Sequence, residues 1–225
     1  MKRILAAAIA AALLLSGCTS ASRPAESAPP TGTPSPSPTP VVTPTPEPEP
    51  ADDELVLVRD YIPGIFIDLK YATTDNFTGR VIYDSDEAYL RYGTVKKLLC
   101  AQNELSGRGL SLKIWDAYRP VSAQFKLWEI CPNPVYVSDP NNGYSKHSRA
   151  NTVDITLVTD TGKSIPMPSG FDDFTSLADR DYSDVSNEAA ENARLLENVM
   201  VENGFVPYSG EWWHYSDSVG YDVYG

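Results

Sequence analysis

The chain has 225 residues, with 30 acidic side chains against 18 basic ones and a formal charge of −12 at pH 7. Phosphate-backbone binding depends on clustered Lys and Arg, so this balance excludes nucleic acid as a partner. Eleven of the nineteen prolines fall between Thr19 and Ala51, which separates a segment unable to build a core from a remainder that can.

Met1-Lys2-Arg3 is a short basic start, and an apolar run follows from Ile4 to Leu15. A bilayer-spanning helix needs about twenty apolar residues, so residues 1–17 read as a secretory signal. Leu15-Ser16-Gly17-Cys18 resembles the bacterial lipobox, in which the cysteine becomes the lipidated first residue; a signal cleaved nearby without lipidation is the plainer alternative. Cys18 is therefore expected to carry lipid and to anchor the protein on the extracytoplasmic face of a bacterial cell membrane. Residues 18–52 then form a disordered Pro/Thr-rich tether, on the order of 100 Å long if fully extended in polyproline II. Loss of Lys2 and Arg3 with the signal takes the formal charge from −12 to −14.

Residues 53–225 have the length of one domain with a sizeable core. Ile65, Ile67 and Leu69 alternate as a strand, and Val95, Leu98, Leu99 and Leu105 share one face of a helix ending near Gly107. Leu110, Leu112 and Ile114 predict a second strand, running into the turn Asp116-Ala-Tyr-Arg119-Pro120. A short helix from Ser122 to Ile130 stops at Cys131-Pro132. Thr152 to Val158 predicts a strand that turns at Asp160-Thr-Gly162-Lys and returns through Ile165. A loop through Phe171 precedes a helix opened by Ser186 and closed before Gly204, and the last strands carry Glu211 and His214. This order predicts an α+β fold, an antiparallel sheet with helices packed on one side. Cys100 and Cys131 remain after Cys18; a disulfide between them and separate burial are both open, because sequence cannot set their Cα separation.

The chain has only two histidines, and each lies in a short polar constellation. His147 has Asp154 seven residues on, and His214 has Glu211 three residues before it. Two imidazoles and one carboxylate fill three positions of a tetrahedral zinc site and leave the fourth open, as in catalytic sites. Either pair alone is weak, since a buried histidine bonded to a carboxylate is common. Val153, Ile155 and Leu157 claim one face of their strand, so Asp154 and Thr156 point to the other, towards a cleft. Glu211 and His214 would lie on opposite faces of a flat strand, so a twist, turn or bulge is required to bring both to one metal. Trp212 and Trp213 read as core and cleft wall.

Ser145-x-His147-x6-Asp154, Glu211-Trp-Trp-His214-Tyr215 and Trp115-Asp116-Ala-Tyr118-Arg119-Pro120 resemble the D-alanyl-D-alanine dipeptidases of the vancomycin-resistance type, and Lys70-Tyr-Ala-Thr-Thr-Asp-Asn-Phe-Thr-Gly79 extends the likeness. The resemblance implies one Zn2+ per chain held by His147, Asp154 and His214, with Glu211 as catalytic base and Arg119 assisting the transition state. It also implies that Ser145 meets the substrate carboxylate, while Asp172 and Tyr71 meet its amino end. The substrate class is then a small D-amino-acid peptide, hydrolysed in cell-wall peptide turnover. For Arg119 the structural alternative is an ion pair with Asp116.

Three positions depart from the family pattern, which usually has glycine at Ala150, alanine at Thr152 and serine at Lys146. The connection from Pro120 to Ser145 is also shorter, which favours a larger substrate and a zinc D,D-carboxypeptidase acting on peptidoglycan stems. A non-catalytic zinc-containing binding module, like the hedgehog signalling domains that resemble this fold, is the alternative of another class. Retention of Glu211 and Arg119 beside the metal set argues against it.

Overall fold

In a computed structural model, which describes residues 48–225, Thr152–Thr159 (β5) is the middle strand of a five-stranded sheet. It lies between Leu110–Asp116 (β4) and Glu211–Asp217 (β7), with Phe66–Ile67 (β2) and Phe205–Tyr208 (β6) at the edges. Leu55–Leu57 (β1) and Tyr89–Arg91 (β3) make a separate two-stranded sheet. The helices are Val58–Tyr61 (α1), Tyr92–Ser106 (α2), Val121–Ile130 (α3) and Asn187–Glu202 (α4). The signal, Cys18 and the tether up to residue 47 lie outside the described residues.

Alternation decides which way the sheet faces. Leu112 and Ile114 sit opposite Leu157 and Ile155, Val153 sits opposite Tyr215, and all are buried on the side where α2 and α4 pack against the strands and each other. Ser186 opens α4 as expected, its hydroxyl accepting the Ala189 N–H at 3.2 Å. The α+β architecture is therefore present, with differences in detail. The β2–β4 pair is parallel rather than antiparallel, because β2 reaches β4 through a long crossover containing α2. The return of the β5 hairpin is a single bridge, Val158 to Ser164, and Pro166 and Pro168 follow at once without N–H groups for a ladder. Instead of joining α2 and α4, α3 sends its Gln124 side chain to Arg119. Cys100 and Cys131 are both free, Cys100 on the exposed side of α2 and Cys131 at the end of α3.

Two irregularities shape the other side of the sheet. In β4, Ile114 is opposite Ile155 but Asp116 is opposite Asp154, so Trp115 is one extra residue. This bulge turns Asp116 to the same side as Asp154, where strict alternation would have sent it to the helices. In β7 the break is larger: Pro207 pairs with Tyr215 and the next residue, Tyr208, pairs with Glu211. The bend that the Glu211-to-His214 spacing requires is thus formed, and Asp154 faces His214 directly across β5 and β7.

Candidate active site

His147 lies in one 3-10 turn, Lys146–Arg149, immediately before β5. Ser145 opens the turn, its Oγ accepting the His147 N–H at 3.3 Å. Ala150 closes it at φ 58°, a left-handed conformation costing an L side chain roughly 1–2 kcal/mol. A glycine at this position would avoid that cost. His147 Nδ1 is 2.9 Å from the Ala117 carbonyl, which can only accept, so in the neutral ring Nδ1 carries the hydrogen and Nε2 is left free to ligate.

That nitrogen faces two more polar atoms. Nε2 is 3.3 Å from Asp154 Oδ2 and 3.4 Å from His214 Nδ1, and His214 Nδ1 is 2.9 Å from Asp154 Oδ1. One donor atom from each of the three residues falls within 4.8 Å of the rest. Two imidazole nitrogens and a carboxylate oxygen converging in this way suit a divalent cation, and the set matches the three protein ligands of catalytic zinc sites. Asp154 is only 3% exposed, so the carboxylate is covered by the two rings instead of lying open in a cleft. Burial works to raise its pKa, but His147 and His214 outweigh burial and hold the carboxyl well below the usual range.

Glu211 Oε2 is 3.4 Å from His214 Nδ1. Burial pushes its carboxyl above the ordinary value, and the negative charge of Asp154 adds to the effect. The cleft that Glu211 and His214 line has a volume of about 270 Å³ and is shared with Ser145, Lys146, Tyr208 and Pro134 to Tyr136. The connection after α3 therefore supplies a wall.

Arg119 forms the ion pair expected as its structural alternative. Nη2 and Nε donate to Asp116 Oδ2 at 2.6 and 3.2 Å, and Nη1 donates to Gln124 Oε1 at 3.0 Å. The guanidinium also lies 5.0 Å from the centre of the Tyr71 ring. Of its five N–H groups, one on each terminal nitrogen stays free to donate elsewhere. The ion pair thus fixes Arg119 without exhausting it. Tyr71 Oη donates to Asp172 Oδ2 at 2.8 Å, which brings these two predicted substrate contacts together. Burial, with Asp154 adding, pushes the Asp172 carboxyl up to about 7 against the opposing effects of Tyr71 and Arg119.

Trp212 and Trp213 are buried behind the site, and Trp115 packs 5.6 Å from Trp212 and 5.8 Å from Phe171 between ring centres. Three other residues at the site were not legible from sequence. Tyr83 donates to Asp116 Oδ1, Gln124 joins Arg119 to the Ser138 carbonyl, and Arg180 reaches the backbone of Glu211 and His214. None lies in a motif with the groups it supports; for Gln124 the one available signal was a polar residue on the buried face of α3.

Metal-assisted hydrolysis is the class of chemistry to which this sheet and side-chain set belong. Residues 51–221 match the profile of Peptidase_M15, described as D-ala-D-ala dipeptidase, and the chain belongs to that family of metallopeptidases. It is similar to the D-alanyl-D-alanine dipeptidase of Escherichia coli, 39% identical over 72% of this chain and 83% of the relative. The enzyme of the same name from Enterococcus faecium is 35% identical over 69% of this chain and 87% of its own length. A solved structure of VanYB in complex with D-Alanine-D-Alanine covers 68% of this chain and 85% of that one, at 16% identity and a TM-score of 0.40, a likeness too remote to bear on function.

Proposed function

We propose that the protein hydrolyses the D-Ala-D-Ala peptide bond, using one zinc ion held by His147, Asp154 and His214. The convergence of those three donors within 4.8 Å, with Glu211 beside them, carries the reading. When bound, zinc polarises the scissile carbonyl and makes water a competent nucleophile near neutral pH. Glu211 accepts the proton of the attacking water as its oxygen bonds to the carbonyl carbon, and returns a proton to the amine nitrogen as the C–N bond breaks. A raised carboxyl pKa favours that return. Arg119 donates its free N–H groups to the oxygen that becomes negative in the tetrahedral intermediate. Ser145 binds the substrate carboxylate, and Asp172, braced by Tyr71, binds the ammonium.

A carboxyl raised to about 7 holds its charge better once a cation pairs with it, which suits Asp172 to a free amino terminus. Capping the amine removes that partner and leaves the half-buried Asp172 with the Tyr71 hydroxyl but no cation, a loss on the order of 1–3 kcal/mol. N-acetyl-D-Ala-D-Ala is therefore expected to be cleaved at least about tenfold less efficiently than the free dipeptide, and chelation should abolish both reactions. Comparing kcat/KM for the two substrates checks this. A second reading, a D,D-carboxypeptidase on stem peptides, is favoured by a further space of about 170 Å³ that shares Val135, Tyr136, Tyr208 and Glu211 with the cleft. Equal or faster cleavage of the capped or stem-length peptide would decide for that reading.

The proposal extends to the remainder of the chain: residues 1–17 direct export, Cys18 carries the lipid, residues 18–52 are the tether, and the domain works on wall-derived peptides outside the membrane. Mass analysis of the mature amino terminus should find a diacylglyceryl cysteine at position 18. An unmodified terminus at any other residue would refute the anchor.

A further inference from the structure

We infer that Arg180 is the positioning residue that holds the bend of β7 in the shape that Glu211 and His214 need, an assignment resting on the proposed hydrolytic function. Because the β6–β7 register jumps from Pro207 opposite Tyr215 to Tyr208 opposite Glu211, Trp212, Trp213 and His214 have no partners in β6. On the other side, β5 pairs with β7 only from His214 onward. A strand bowed out in this way exposes carbonyls that must be satisfied by something other than a ladder.

Arg180 satisfies them. Its Nη2 donates to the carbonyls of Glu211 at 3.0 Å and His214 at 3.1 Å, and its Nε to the carbonyl of Tyr208 at 2.7 Å. Nη1 donates to Glu197 Oε2 at 3.0 Å and to the Tyr215 hydroxyl at 3.1 Å, so all five N–H groups are used. The guanidinium also lies 4.6 Å from the centre of the Tyr215 ring, and the side chain is 10% exposed. Two of these bonds grip the first and last residues of Glu211-Trp-Trp-His214, the segment whose ends carry the proton and ligate the metal. Residues three apart on a regular strand point to opposite faces, so the segment must be held out of regular geometry. Lysine retains the charge but lacks the planar fork that spans three carbonyls. Arg180 stands in the same loop as Asp172, so the grip on β7 also fixes the segment that binds the substrate ammonium.

The test uses the full-length protein and its Arg180→Lys and Arg180→Ala variants, at a temperature where circular dichroism shows each folded. Zinc affinity by chelator competition, kcat and KM on D-Ala-D-Ala, and amide hydrogen exchange along the chain are measured. Supporting groups of this kind are worth about 10–100-fold in metal affinity or activity, so Arg180→Lys should hold zinc at least about tenfold more weakly and lose kcat by a similar factor with KM little changed. Exchange should quicken at residues 208–216 and stay unchanged in β4. If Arg180→Ala does not fold, Arg180→Lys carries the test, because it keeps a cation beside Glu197 and Tyr215. Wild-type zinc affinity and exchange in Arg180→Lys would overturn the assignment, as would quickened exchange spread evenly over the sheet with zinc and kcat unaltered. Should the wild type neither hold zinc nor cleave D-Ala-D-Ala, the hydrolytic reading fails, and the exchange data still decide whether Arg180 holds the bend.

Discussion

Glu211→Ala is expected to leave the protein folded and holding about one zinc per chain while kcat falls by about three orders of magnitude, within the range of a lost general acid–base group. Glu211 is separate from the three converging donors, and its carboxylate lies 3.4 Å from His214 Nδ1. Its removal therefore takes away proton transfer without taking away ligation. The methyl group of alanine also cannot relay a proton to the leaving amine, so both halves of the reaction suffer. Metal analysis and single-turnover kinetics on the same sample separate the two roles. Zinc lost together with activity would make Glu211 a ligand and leave the base unassigned.

Arg119→Ala should produce two effects from one change. Removing an oxyanion donor lowers kcat by about 10²–10³-fold. Removing the partner of Asp116, which is fully buried, also destabilises the fold, since breaking a buried pair costs on the order of 3–5 kcal/mol. The Tyr83 hydroxyl and the Ala117 N–H still bond Asp116, so the loss should fall towards the lower end of that range. The expected result is a lowered Tm together with lowered turnover at temperatures where the variant is folded. A lowered Tm with near-normal kcat would confine Arg119 to holding Asp116. Both effects together are what a residue braced by one carboxylate while donating to the reacting oxygen should show.

The convergence of His147, Asp154 and His214 was legible because the chain offers so few alternatives: with only two histidines, each with a carboxylate at short spacing, the sequence leaves little else to converge. The bend of β7 was legible for a geometric reason, as Glu211 and His214 cannot share a side of a flat strand. Long helices were legible from apolar periodicity, α4 down to its Ser186 cap. What stayed hidden was whatever depends on distant partners. The parallel pairing of β2 and the two-stranded sheet of β1 and β3 rest on strands of two and three residues, too short to show a period. Arg180 contacts carbonyls 28 to 34 positions away, and main-chain acceptors leave no mark in a sequence. Arg119 was legible as two alternatives, and the ion pair with Asp116 is present while the fork keeps more donors than Asp116 and Gln124 accept.

The bulge in β4 also bears on how this domain can vary by descent. Exchanging Trp115 for another residue changes one ring against Trp212 and Phe171 and leaves the frame of the strand in place. Deleting it removes the bulge, yet Asp116 then follows Ile114 directly and still points to the Asp154 side, opposite Asp154 as before. Descent can therefore exchange the ring or drop the extra residue and keep the side of the sheet on which Asp116 meets Arg119 and Tyr83.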